Sequence, residues 1–163
     1  MPELTDELER RRELGQDLHD EVWEGVYWVA PGRGTPHAIV DDELAAALRP
    51  HAIAAGLTGT GIFNLGEPED YRVPDHGYHR GVPTGTYVPA AAIVVEIVSP
   101  DDRSWEKFGF YAAHGVDEIV IADPEARTVT LWQRKPTGEY DEIPSSALLG
   151  VSAHELTETI AWP

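Results

Sequence analysis

The feature that most constrains this chain is "AAIVVEIVSP", residues 91–100. Its apolar residues do not alternate with polar ones, so the stretch predicts a strand buried on both faces, as in a sheet covered by helices. Ser99-Pro100 closes it. In the middle stands Glu96. A carboxylate buried without a partner costs several kcal/mol, so Glu96 is either a hydrogen-bonded core residue or part of a site.

The flanking segments set the frame for that strand. Leu4 and Leu8, then Leu14 and Leu18, recur at i,i+4 among charges and predict an opening helix that Gly15 breaks. "EVWEGVYWVA" (21–30) reads as a hairpin turning at Glu24-Gly25. Thr35-Pro36 is the expected helix start, with Thr35 as N-cap, and Gly56 the stop. Residues 57–66 read as one strand. Residues 71–80 read as a weaker one, because Pro74 cannot donate a ladder hydrogen bond. "GVPTGTYVP" reads as loop. A helix from about Arg103 to His114 should follow the buried strand, then strands 117–123 and 127–134 around the turn at "PEA". The remainder reads as a short strand, a capped turn at Ser152 and a final edge segment. This order predicts an α/β fold, a mixed β-sheet flanked by α-helices.

With 163 residues and 42% hydrophobic content, residues 1–163 should form one domain with a substantial core. The absence of cysteine excludes disulfides, thiolate metal sites and a cysteine nucleophile. The opening lacks the apolar run of a signal peptide and no stretch approaches a membrane span, so the expectation is a cytoplasmic protein with no membrane partner. Net charge is −17, and non-specific DNA affinity comes mostly from Lys and Arg displacing phosphate counterions. Weak non-specific binding to DNA follows, and a nucleic-acid role needs a local cationic patch or metal ions.

Three residues carry the chemistry. Asp75 stands just after a proline at a strand end, Glu96 lies in the buried strand, and Lys107, one of two lysines in the chain, lies on the next helix. Two carboxylates and an ammonium converging at a sheet end suit metal-assisted phosphodiester hydrolysis. Hard oxygen ligands hold Mg²⁺ or Mn²⁺, and lysine orients water or stabilises the transition state. On a helical wheel Lys107 clusters with Arg103, Phe110, Tyr111 and His114 on a helix apolar almost all round, so it either reaches solvent or points at a carboxylate. His76 and His79 would face opposite sides of a strand and cannot pair on a metal. Asp123 reads as the start of a turn. "ERRRE" reads as a solvated helix face and is the densest cationic cluster in the chain. His37 has no assigned role.

"YRVPD", "AAIVVEIVSP", "WEKFGFYAAHGVDEIVIADP" and "ARTVTLW" together resemble the Uma family of proposed restriction endonucleases, within the PD-(D/E)XK nuclease superfamily. The similarity runs from about residue 20 to 135. It implies a restriction-endonuclease-like core and divalent-metal-dependent cleavage of DNA. It also implies roles for single residues: Asp75 and Glu96 as metal ligands, completed by the Ile97 backbone carbonyl, with Glu21 assisting at the metal. Lys107 resembles the family's relocated lysine, carried on the helix because the position two after the glutamate is Val98. Two other readings stand beside this one: a degenerate member acting as a binding or regulatory protein, and a metal hydrolase of small phosphoesters. The recognised DNA sequence and any homodimer are left open.

Overall fold

In a computed structural model, residues 2–100 and 102–163 are described, with side chains from residue 5 onward. The charged opening forms α1 (Pro2–Glu13). Glu24 and Gly25, at φ of 49° and 82°, fold β1 (Glu21–Trp23) back on β2 (Val26–Trp28). Positive φ at both central residues matches the turn to the strand twist. Helix α2 (Thr35–Ala54) starts one residue earlier than expected: Gly34 is the N-cap and Thr35 is already helical, with no side-chain cap bond. Its buried stripe, Val40, Leu44, Leu48 and Ala52, repeats every four residues.

Two segments read as single strands are each split. Residues 57–66 form β3 (Leu57–Thr60) and β4 (Asn64–Glu67), and residues 71–80 contribute to β5 (Asp70–Arg72) and β6 (His76–Arg80). In each pair the two strands belong to different sheets. The breaks fall around Gly61 and at Pro74, where the backbone lacks a side-chain restraint or a donor. The segment read as loop contains β7 (Tyr87–Val88), and the apolar run forms β8 (Ile93–Ile97). The helix expected over 103–114 is a 3₁₀ turn, Ser104–Lys107, followed by α3 (Phe108–Ala113). Asp102 anchors that turn by accepting from both the Ser104 N–H and hydroxyl. Then come β9 (Glu118–Asp123), β10 (Thr128–Arg134) and β11 (Tyr140–Ile143). The expected edge segment at the end is instead α4 (Ala153–Thr159). Ser152 caps it by accepting from Glu155 N–H at 3.0 Å, a Ser-x-x-Glu pattern ahead of buried Leu156.

The strands form a six-stranded sheet, β11-β10-β9-β8-β6-β3, and a five-stranded sheet, β2-β1-β5-β4-β7. Each contains one parallel pair, β8–β9 and β4–β7, so both are mixed. The apolar run of β8 conceals a period of two. Ile93, Val95 and Ile97 join the core beneath α2 and α4, while Val94 joins a second core with Leu65, Tyr111 and Ile119. Glu96 shares the Val94 face and so looks away from α2. The mixed α/β architecture expected from the sequence is the one observed.

Candidate active site

Glu96 is 3% exposed and its partners come from the segment that follows β8. Lys107 Nζ lies 3.0 Å from Glu96 Oε1, and the Tyr111 hydroxyl donates to the same oxygen. Lys107 and Tyr111 are four residues apart, one turn on the same side of the 3₁₀–α3 segment. The Lys107 ammonium also stands 2.8 Å from Glu21 Oε1. Of the two fates open to Lys107, pointing at a carboxylate is the one adopted. Glu21 is further fixed by the Val73 N–H at Oε1 (2.8 Å) and the Trp23 indole N–H at Oε2 (2.7 Å). Lys107 therefore ties β1 of the smaller sheet to β8 of the larger.

Asp75 sits where the chain leaves β5 and enters β6. Its N–H donates to Val95 O (3.0 Å) and its Oδ2 accepts from Ile97 N–H (2.7 Å), so it is clamped to the backbone on both sides of Glu96. Asp75 Oδ1 is buried and accepts from no backbone group. The Arg33 guanidinium stands against it as an ion pair, and His37 Nε2 lies 3.5 Å away. One cleft is lined by Glu21, Arg33, Asp75, Glu96, Ile97 and Lys107. All five residues expected from the sequence, Glu21, Asp75, Glu96, Ile97 and Lys107, thus meet in one place.

Burial pushes the Glu96 carboxyl up, against the nearby Lys107 charge, and the Glu21 carboxylate adds to the rise. Burial opposes the Lys107 ammonium, but Glu96 and Glu21 together outweigh it and hold its pKa above the ordinary lysine value. Lys107 is therefore cationic at neutral pH. Burial and the neighbouring Arg33 push His37 down, which favours its neutral form. Arg33 and Lys107 are thus set against three carboxyl groups, Glu21, Asp75 and Glu96.

Arg33 and Tyr111 were not among the expected site residues. Arg33 lies in the loop "APGRGTP", which has no periodicity to place it. For Tyr111 the signal exists: it falls beside Lys107 on the helical wheel. The residues set aside stay apart from the site. His76 Nε2 pairs with Asp41 (2.7 Å), while His79 Nε2 meets Thr60 Oγ1 (2.9 Å). Asp123 Oδ1 accepts from the N–H groups of Glu125 and Ala126, as a turn residue does. The "ERRRE" cluster is partly neutralised, since Arg11 pairs with buried Asp20 at 2.9 Å.

The family model described as "Uma2: Putative restriction endonuclease" matches residues 5–161. The chain belongs to the Uma2 family. The match extends past both ends of the 20–135 motif region. The fold of this Uma2 member is similar to a crystal structure of "a putative nuclease belonging to DUF820" from Anabaena variabilis ATCC 29413. The TM-score is 0.65 at 16% identity, covering 86% of this chain and 90% of that one. No curated protein shows significant similarity to the chain. Among the described residues, no helix is long and apolar enough to cross a membrane.

The Uma2 family resemblance implies a divalent metal, and the residues present can be tested against it. Among the described residues, no three His, Asp or Glu side chains already stand together as a metal-holding group. The carboxylates instead face Arg33 and Lys107. The donor chemistry nevertheless fits: Asp75 Oδ1 is buried and meets a cation, Arg33, at the position a metal ion would take. Carboxylate oxygens and a backbone carbonyl are hard ligands of the kind Mg²⁺ and Mn²⁺ take.

Proposed function

We propose that this Uma2 member is a Mg²⁺- or Mn²⁺-dependent endonuclease that hydrolyses phosphodiester bonds in DNA. The observation that supports this reading most is the Lys107 ammonium held between Glu21 and Glu96 in the cleft that Asp75 lines. Asp75 and Glu96 would hold the metal, with the Ile97 carbonyl and Glu21 assisting. A divalent ion there supplies Lewis-acid polarisation and offsets phosphate charge.

The chain's own residues supply the rest. Lys107 has three N–H donors, and Glu21 and Glu96 engage two, which leaves one for a water or a phosphate oxygen. Because it stays protonated at neutral pH, it acts as a donor and positive charge at the reacting phosphate, not as a base. Tyr111 fixes the Glu96 carboxylate through the oxygen that Lys107 also contacts. The Asp75 clamp on Ile97 N–H keeps that carboxylate against the strand that carries Glu96.

Two measurements test the reading. Calorimetric titration with Mn²⁺ should show binding in the millimolar range or tighter, lost in Glu96→Gln. Plasmid DNA should be cut in Mn²⁺ by the parent and left intact by that variant. If no metal binds, or if Glu96→Gln cuts as well as the parent, the reading fails. Hydrolysis of a small phosphodiester without plasmid cleavage would move it to the small-phosphoester class.

A further inference from the structure

The wall of the same cleft carries aromatic and guanidinium groups that the proposed chemistry does not use. Trp28 is 42% exposed although it is a large apolar side chain. In the β1–β2 ladder it stands directly opposite Glu21, so both side chains project from the same face of the sheet. Arg103 lies over the Trp28 ring at 4.1 Å and over the Trp23 ring at 4.5 Å, and Arg72 lies over Trp23 at 4.3 Å. Trp23, Trp28 and Arg103 line the cleft together with Glu21, Glu96 and Lys107.

The charge of the chain says what this wall can hold. Duplex DNA is bound mainly by neutralising its phosphates, yet the net charge is −17 and the cleft's cations Arg33, Arg103 and Lys107 all face carboxylates. Stacking of a base on an aromatic ring needs no net charge, and an arginine laid on the ring extends the stack. Bases in a paired duplex have their faces already covered.

We infer that Trp28, backed by Arg103 and Trp23, is a stacking platform for an unpaired nucleobase, so the cleft takes unpaired DNA in preference to a paired duplex. The inference rests on the reading that the cleft receives DNA, and it does not require that the DNA be cut. The unpaired base comes from a free single strand or from a bulge within a duplex.

Fluorescence anisotropy of the full chain tests it, in EDTA and again in Ca²⁺. The probes are a labelled oligothymidine, a fully paired duplex of equal length, and that duplex with one bulged thymidine. Oligothymidine should bind at least tenfold more tightly than the paired duplex, with a shallow salt dependence. Trp28→Ala should weaken oligothymidine binding at least fivefold, as loss of one stacked base predicts. Trp28→Phe should retain most of the affinity, and both variants should keep the parent's circular dichroism. A bulged duplex that binds like the single strand assigns the base to duplex lesions, and one that binds like the paired duplex assigns it to free strands. Equal binding of single strand and duplex, no binding of oligothymidine, or parental affinity in Trp28→Ala would overturn the platform. Oligothymidine binding through Trp28 with no cleavage in Mn²⁺ would keep the platform and remove the nuclease reading.

Discussion

Two glutamates stand in the neighbouring central strands β8 and β9, Glu96 at 3% exposure and Glu118 at 1%. Glu118 is held by one loop. Its Oε1 accepts from the N–H groups of Ala147 (2.8 Å) and Leu148 (3.1 Å), and its Oε2 accepts from the Ser146 hydroxyl. These donors are neutral, and Ser146 Oγ in turn accepts from Leu149 N–H at 2.9 Å. Glu96 has one neutral donor, the Tyr111 hydroxyl, and no such loop around it. It shares one ammonium with a second carboxylate and opens onto a cleft. A buried carboxylate satisfied by fixed backbone donors pins a loop. One that must share its counter-ion retains a demand for positive charge, which a ligand can meet.

The comparison can be broken by substitution. Glu96→Gln should lower DNA cleavage about 10³-fold, because a metal ligand is worth several kcal/mol at about 1.4 kcal/mol per tenfold in rate. Its melting temperature should stay near that of the parent. Lys107→Met should be inactive and also less stable by about 3–5 kcal/mol in urea unfolding, since Glu21 and Glu96 lose their shared counter-ion. In the parent, the folded pKa of Lys107 lies above 10.5, so its contribution is complete below about pH 10.5 and is lost as pH rises through the higher folded value. Lys107→Met should lack that alkaline loss. Glu118→Ala should reverse the pattern of Glu96→Gln. Three donors lose their acceptor, at roughly 1–3 kcal/mol each, so stability should fall by about 3 kcal/mol or more. Per folded molecule, Mn²⁺ affinity should be unchanged.

The smallest effect sharpens the contrast. The Tyr111 hydrogen bond lowers the Glu96 pKa, against the rise that burial imposes. Glu96 must lose its proton to take a cation, so Mn²⁺ affinity should fall on the acid side through a pKa above the usual glutamate value. Tyr111→Phe keeps the ring and removes the bond, and should move that acid limb to higher pH. An unchanged limb would show that Tyr111 holds α3 in place and does not tune the carboxylate.

Much of this arrangement was legible in local chemistry. The hairpin at Glu24-Gly25 is set by turn geometry, and β8 by an apolar run too short and too β-branched for a helix. The pairing of Lys107 with Glu96 follows from an ammonium among aromatic residues on a largely apolar helix one short loop after a buried acid. Sheet membership was not legible. Nothing in "LTGTGIFNLG" says that β3 and β4 part company, because each half has strand character and the choice of partner is made by distant chain. Pro74 was read as weakening a strand, whereas it marks the point where the chain changes sheets and where Asp75 is placed. Arg33 was invisible because loop residues carry no period. α4 was missed although Ser152 and Glu155 spell its cap, because the segment is short and half of it is exposed.

The bridge from Lys107 to Glu21 has a thermodynamic consequence. Glu21 belongs to a three-residue strand whose partner β2 is the edge of the smaller sheet, and Glu96 belongs to the interior of the larger one. Fraying of the hairpin takes Glu21 and Trp28 away together while leaving Glu96 in place. Any ligand that draws on both carboxylates is linked by mass action to the docked hairpin. Amide protection in β1 should therefore report ligand occupancy, and a substitution that loosens the Glu24-Gly25 turn would weaken affinity at a distance from every atom the ligand touches.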